Sequence, residues 1–143
     1  MTISKVYTNA LAKAFNNEID FDSNTVKVML CTSSYTPNQG THAYKSSITN
    51  EVTATGYTAG GATLGSKAVT VSGTKVKIDA DDIVWSSSSI SARYAVFYVD
   101  TGTAATSPLI AYWDFEGTIT STNNNFSLTL NAAGIIEIET NPS

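Results

Sequence analysis

Asp79, Asp81 and Asp82 form the densest acidic cluster of the chain. An oxygen-rich cluster is the raw material of a Ca²⁺ site. This one lacks EF-hand spacing, a glycine at the loop turn and a closing bidentate glutamate. The expected role is a strand-connecting loop whose aspartates bond their own backbone. His42 is the only histidine, which excludes a multi-histidine zinc site. A Ser-His-Asp triad would need a nucleophile elbow of the Gly-x-Ser-x-Gly type, and none occurs. His42 is expected to be a solvated loop residue. Asp114 and Glu116 flank Phe115 and so share a face at a strand end. Paired carboxylates can run glycoside hydrolysis, but the preferred reading here is a structural ion pair with Arg93. The single cysteine, Cys31, sits in an apolar run with nothing to acidify it. It reads as a small buried hydrophobe. No metal, cofactor or catalytic constellation is expected, and the chain is read as a non-enzyme.

The stretch "GYTAGGATLG" at 56–65 raises the possibility of a phosphate loop, in which glycines let backbone N–H groups approach an anion at a helix N-terminus. The residues after it carry no helical pattern. Val69 and Val71 alternate with polar residues, then Ser72-Gly73 intervenes, then Val76 and Ile78 alternate again. That is a β-hairpin over 68–79. Lys67 has no Ser or Thr after it, so a Walker loop is excluded as well. Gly60 and Gly61 are therefore architectural, and Tyr57 packs at a strand end. Trp85, Trp113, Tyr94, Tyr98 and Tyr112 could stack on sugars if exposed. Tyr112 and Trp113 are neighbours, however, and point to opposite faces of a strand. Core packing is expected of these rings.

These residues must be positioned by short strands and one helix. "SKVYTNALAKAFNN" places Tyr7, Leu11, Ala14 and Phe15 on one helical face, with Ser4 as the cap and Asn16-Asn17 at the end. The stripe is narrow, so the helix lies on a sheet or on a neighbouring subunit. In "TVKVMLCT", Val26, Val28 and Leu30 face one way and Lys27, Met29 and Cys31 the other. Residues 33–55 form a long loop anchored by Tyr35, His42, Tyr44 and Ile48, of the length that usually serves function or a partner. "SARYAVFYVD" is apolar on both faces and reads as a central, doubly covered strand. "LIAYWDFEG" ends at Gly117. "FSLTLN" is the next strand, "AAG" turns, "IIEIET" closes the sheet with Ile136 and Ile138 inward, and "TNPS" frays. The expected fold is mainly β: one domain over 1–143, an antiparallel β-sandwich of about seven or eight strands with an N-terminal α-helix or arm at 1–17.

Composition narrows the classes of partner. Charged residues are 14% of 143 and the formal net charge is −4. No Lys/Arg cluster exists to displace counterions, so nucleic acid is not an expected partner. Residues 1–15 lack the charged leader and apolar core of a secretion signal. No apolar run is long enough for a bilayer, so no membrane association is expected.

The order of "VYTNALAKAFNNEIDF", "NTVKVMLCTSSYTP", "NEVTATGYTAGGATL", "IDADDIVWSSSSISARYAVFYVDTGT", "SPLIAYWDFEG" and "FSLTLNAAGIIEIE" resembles a family of small structural proteins of tailed bacteriophages. The resemblance spans nearly the whole chain. It implies a virion protein assembled in the host cytoplasm, of the capsid decoration or cement kind, with the major capsid protein as partner and a dimer or trimer as its own state. It carries over no catalytic residue. A tail or head-fibre component and a glycan-binding adhesion module are the alternatives. Tyr7, Leu11 and Phe15 of the helix, with Tyr35 and Tyr44 of the loop, are the expected partner contacts.

Overall fold

The structure is a computed structural model that describes residues 2–130 and 133–140. The turn expected at 132–134 and the tail expected at 140–143 lie partly outside these residues. The strands are β1 (Ile3–Val6), β2 (Val26–Cys31), β3 (Ala62–Thr63), β4 (Ala68–Ser72), β5 (Lys75–Asp79), β6 (Ile83–Ser88), β7 (Ser91–Val99), β8 (Leu109–Thr120), β9 (Asn124–Leu128) and β10 (Ile136–Glu139), with one α-helix, α1 (Thr8–Phe15). All pairings between them are antiparallel. The fold is mainly β, as expected.

The main sheet has the order β1-β8-β7-β2-β3. Its centre is β7, the strand that is apolar on both faces. Alternation sends Ala95, Phe97 and Val99 to one side, where they join Val26, Val28, Leu30, Ala111 and Trp113. A second layer covers that side. It is made of the β6–β9 pair, through Trp85, Phe126 and Leu128, and of Ile136 on β10. Tyr94, Val96 and Tyr98 go to the other side with Met29, Cys31, Leu109 and Tyr112. There the cover is Tyr7, Ala10 and Tyr35, from the helix and the long loop. Phe97 pairs with Ala111 but Tyr98 pairs with Leu109, so one residue of β8 is extra at this point. This bulge turns Ile110 and Ala111 toward the same core.

Three sequence expectations are corrected. The helix does not start at Ser4: residues 3–6 form β1, paired with β8 from Ile3↔Asp114 to Val6↔Ala111. A ladder along the open edge of β8 outcompetes an extra turn on a short and intrinsically marginal helix, and α1 begins after Tyr7 without a side-chain cap. Residues 3–15 are therefore built into the body as β1 and α1. Second, β8 runs past Gly117 to Thr120. It passes a bulge in which the two steps of β7 from Ala92 to Tyr94 face the five of β8 from Ile119 back to Asp114. Glu116 takes φ 60° there. Third, the hairpin turn is Gly73-Thr74, because Ser72 pairs with Lys75. Gly73 has φ 60°, as the first position of a type II′ turn requires. The strands beyond the expected eight are β1 and the two-residue β3.

Candidate functional site

The side chains that could do chemistry are employed in holding the body together. The Asp79 carboxylate accepts the Ala80 N–H at 2.8 Å, while that of Asp82 accepts the Leu130 N–H at 2.8 Å. The first caps its own loop as expected; the second ties two distant connections. Among the described residues no three His, Cys, Asp or Glu side chains converge as metal ligands would. Arg93 and Asp114 form a two-pronged pair across β7 and β8, Nε to Oδ1 at 3.0 Å and Nη2 to Oδ2 at 3.3 Å. Burial alone would raise the Asp114 carboxyl. Arg93 and the Glu116 N–H outweigh it and hold it below the usual carboxylate range. Burial pushes the Cys31 thiol up to about 12, with the Glu51 charge adding to it. That thiol is inert at neutral pH.

His42 corrects the expectation of a solvated loop residue. It stacks on Tyr35, with ring centroids 5.7 Å apart. Its Nδ1 faces both the Asn38 N–H, at 3.4 Å, and the Tyr35 hydroxyl, at 2.9 Å. With Nδ1 accepting, the Tyr35 hydroxyl donates to it and accepts from the Tyr7 hydroxyl at 2.9 Å. The chain Tyr7–Tyr35–His42 thus clamps the long loop onto the helix start. Burial raises the Tyr7 phenol strongly, and its bond to Tyr35 adds to this. Burial carries Tyr35 to about 12.

The glycine run has an equally internal role. The Gly60 N–H does bind an anion, but the anion is the chain's own Glu51 carboxylate, at 2.6 Å. The Tyr57 hydroxyl donates to the same oxygen at 2.6 Å and accepts the Leu30 N–H at 3.0 Å. At Gly61, φ is 82° and a Cβ would lie 1.8 Å from the Val28 carbonyl oxygen, so no side chain fits where the loop crosses β2. Trp85, Trp113, Tyr94, Tyr98 and Tyr112 are all buried. These rings pack the core as expected and offer no stacking platform at the surface.

The expected contact residues separate into two groups. Tyr7 and Tyr35 are 0% and 1% exposed and lie beneath the surface rather than on it. Tyr44 is half-buried. Its hydroxyl accepts from Lys13 Nζ at 2.6 Å and donates to Glu18 at 2.8 Å, which fastens the loop to the helix end. Leu11 and Phe15 do face outward, at 44% and 89% exposure. Leu11 lines an apolar groove of about 370 Å³ between α1 and the three-stranded sheet β10-β5-β4, and Phe15 follows one helical turn further along α1. Leu11 and Ala14 line the groove from α1, Val69, Val76 and Ile138 from the sheet, and Asp20, Phe21 and Asp22 from the segment after the helix.

Register explains the groove. Ile136 and Val69 both pair with Ile78, and Ile138 and Val71 both pair with Val76, so six aliphatic side chains share one sheet face. Ile136 is buried against the body, whereas Val69 and Val71 are 43% and 75% exposed. Sequence reasoning missed this half of the site. The Val69/Val71 alternation signals a face to be covered, but it does not say that the fold itself leaves these two side chains exposed. Comparison with family models, with curated proteins and with solved structures finds no match to this chain.

Proposed function

We propose that the chain is a non-enzymatic structural protein of a tailed-phage virion: a decoration protein that binds the outer head surface and stabilises contacts between capsomers, with the major capsid protein as its partner. One observation carries this reading. Leu11 and Val69 stay exposed on the lining of an apolar groove, with Val71 on the same sheet face as Val69 and Phe15 one helical turn from Leu11, both more exposed still. Contiguous apolar surface rimmed by polar residues marks a docking site. The clustered tyrosines and tryptophans, by contrast, are buried in internal contacts. The resemblance of the sequence to small phage structural proteins supports the same reading. A lattice of repeated contacts lets a modest apolar patch hold firmly, because copies bound to linked neighbours act together.

The test is co-sedimentation of purified protein with heads that lack it, counting copies per head at saturation. Copy number matching the capsomer lattice supports decoration. Saturation at one or a few copies per head moves the protein to a vertex, a fibre or the tail. No binding rejects the head as its site.

A further inference from the structure

The free edge of β4 goes beyond the groove and beyond head attachment. β4 pairs with β5 on one side, and among the described residues no strand pairs with the other. The edge is open along its length, since Val69 through Ser72 are all exposed. Edge strands are normally blunted by a charge, a proline or a bulge. β4 reads Ala68-Val69-Thr70-Val71-Ser72 and has none of these, and its register with β5 is unbroken.

The hairpin fixes which backbone groups point outward. Ser72 and Lys75 flank a two-residue turn and form the closing hydrogen-bonded pair. Bonded and non-bonded pairs then alternate along the ladder. The N–H and C=O groups of Val69 and Val71 therefore face the open side. These are the residues whose side chains are also left uncovered.

We propose that a second copy of this chain adds its own β4 here, antiparallel about a two-fold axis at Thr70, so that two three-stranded sheets become one of six strands. The strand is self-complementary in this register. Val69 of each copy lies opposite Val71 of the other, both exchange backbone hydrogen bonds, and Thr70 faces its own copy in a non-bonded pair. No like charges meet at the axis, because the strand is uncharged. The lysine opposite Thr70 is Lys77 on β5, one strand back from the axis and on the sheet face away from the valines; Lys67 bonds the Asn24 carbonyl and Lys75 pairs with Glu137 at 3.5 Å. The two-fold axis stands perpendicular to the sheet and brings the apolar faces of both copies to the same side. The two grooves then form one larger surface. A foreign strand would gain the same backbone bonds but not this matched pattern of side chains.

Cross-linking tests both the contact and its register. Thr70→Cys places two thiols opposite each other at a separation that a disulfide spans, while the native Cys31 is buried and does not compete. Under mild oxidation Thr70→Cys should give a covalent dimer and Ser72→Cys, set two residues off the axis, should not. Sedimentation equilibrium up to about 100 μM should show dimer for the unmodified protein. Val71→Pro removes only an outward N–H, so it should be monomeric with an unchanged circular dichroism spectrum. An unmodified protein that stays monomeric, equal cross-linking at Ser72, or a folded Val71→Pro that still dimerises would overturn the proposal. None of these results would alter head binding by the groove.

Discussion

The two faces of the main sheet are built from different materials. The face toward β6, β9 and β10 is aliphatic and aromatic: Val26, Val28, Leu30, Phe97 and Trp113 pack against Trp85, Phe126 and Leu128. One of its polar groups, the Trp113 indole N–H, donates to the Ile135 carbonyl at 2.7 Å. The face toward the helix and the long loop is instead rich in tyrosine, with Tyr7, Tyr35, Tyr94, Tyr98 and Tyr112 together. Regular strands bring matching apolar rows and need only burial. Irregular segments bring unpaired backbone and polar groups, and phenols can bury a ring while bonding such groups. The Tyr98 hydroxyl on the Gly60 carbonyl, at 2.5 Å, shows the principle. One face is a packed core; the other is a clamp for the helix and the long loop.

The largest effect should come from the packed face. Phe97→Ala removes a fully buried ring beside Trp113 and should cost about 3–5 kcal/mol in urea unfolding. On the clamp face the two hydroxyls of one chain should differ. Tyr35→Phe strands the buried Tyr7 hydroxyl and should cost about 2 kcal/mol. Tyr7→Phe leaves Tyr35 bonded to His42 and should cost about 1 kcal/mol. Equal costs would mean that the chain of bonds does not run in the stated direction.

A pH titration separates the faces further. The buried phenols of Tyr7, Tyr35, Tyr57 and Tyr98 all lie above their ordinary value in the folded state, chiefly through burial. The unfolded chain then loses protons first. Stability is full below the ordinary tyrosine value near pH 10 and falls as pH rises above it, by about 1.4 kcal/mol per pH unit for each such phenol. On the acid side the carboxyls of Asp100 and Asp114 are held low. The Gly102 N–H acts first on Asp100, with Lys27 second, while Arg93 overrides burial on Asp114. Their contribution is present above the ordinary carboxylate value and is lost as pH falls through the lowered one. This arm should be the weaker, since both groups lie partly exposed. Thermal melts across pH check both arms.

Much of the packed core could be read from the sequence. The alternation in Ala95–Val99 and in Val26–Leu30 fixes which side chains go to which face, and Tyr112-Trp113 must split between them. The clamp was less legible. The Tyr7–Tyr35–His42 chain joins residues 28 and 7 positions apart, and no local pattern marks such a contact. β1 was hidden because Ile3–Val6 fits a helical stripe as well as it fits a strand; only the open edge of β8 decides. The surface was legible in part. Leu11 and Phe15 stood out from helical spacing, but Val69 and Val71 looked like any half-buried strand. Their exposure follows from where β4 falls in the sheet order.

The central claim is that the uncovered apolar face beside α1, not the buried chemistry, does the work of this protein. Leu11→Ala combined with Phe15→Ala tests it most directly, with copies bound per head measured beside the melting temperature. Both side chains are exposed, so stability should stay within about 0.5 kcal/mol of the unmodified protein. Occupancy of heads that lack the protein should nevertheless fall by tenfold or more, equivalent to about 1.4 kcal/mol of lost contact at each site. Undiminished occupancy by the stable double variant would contradict the account.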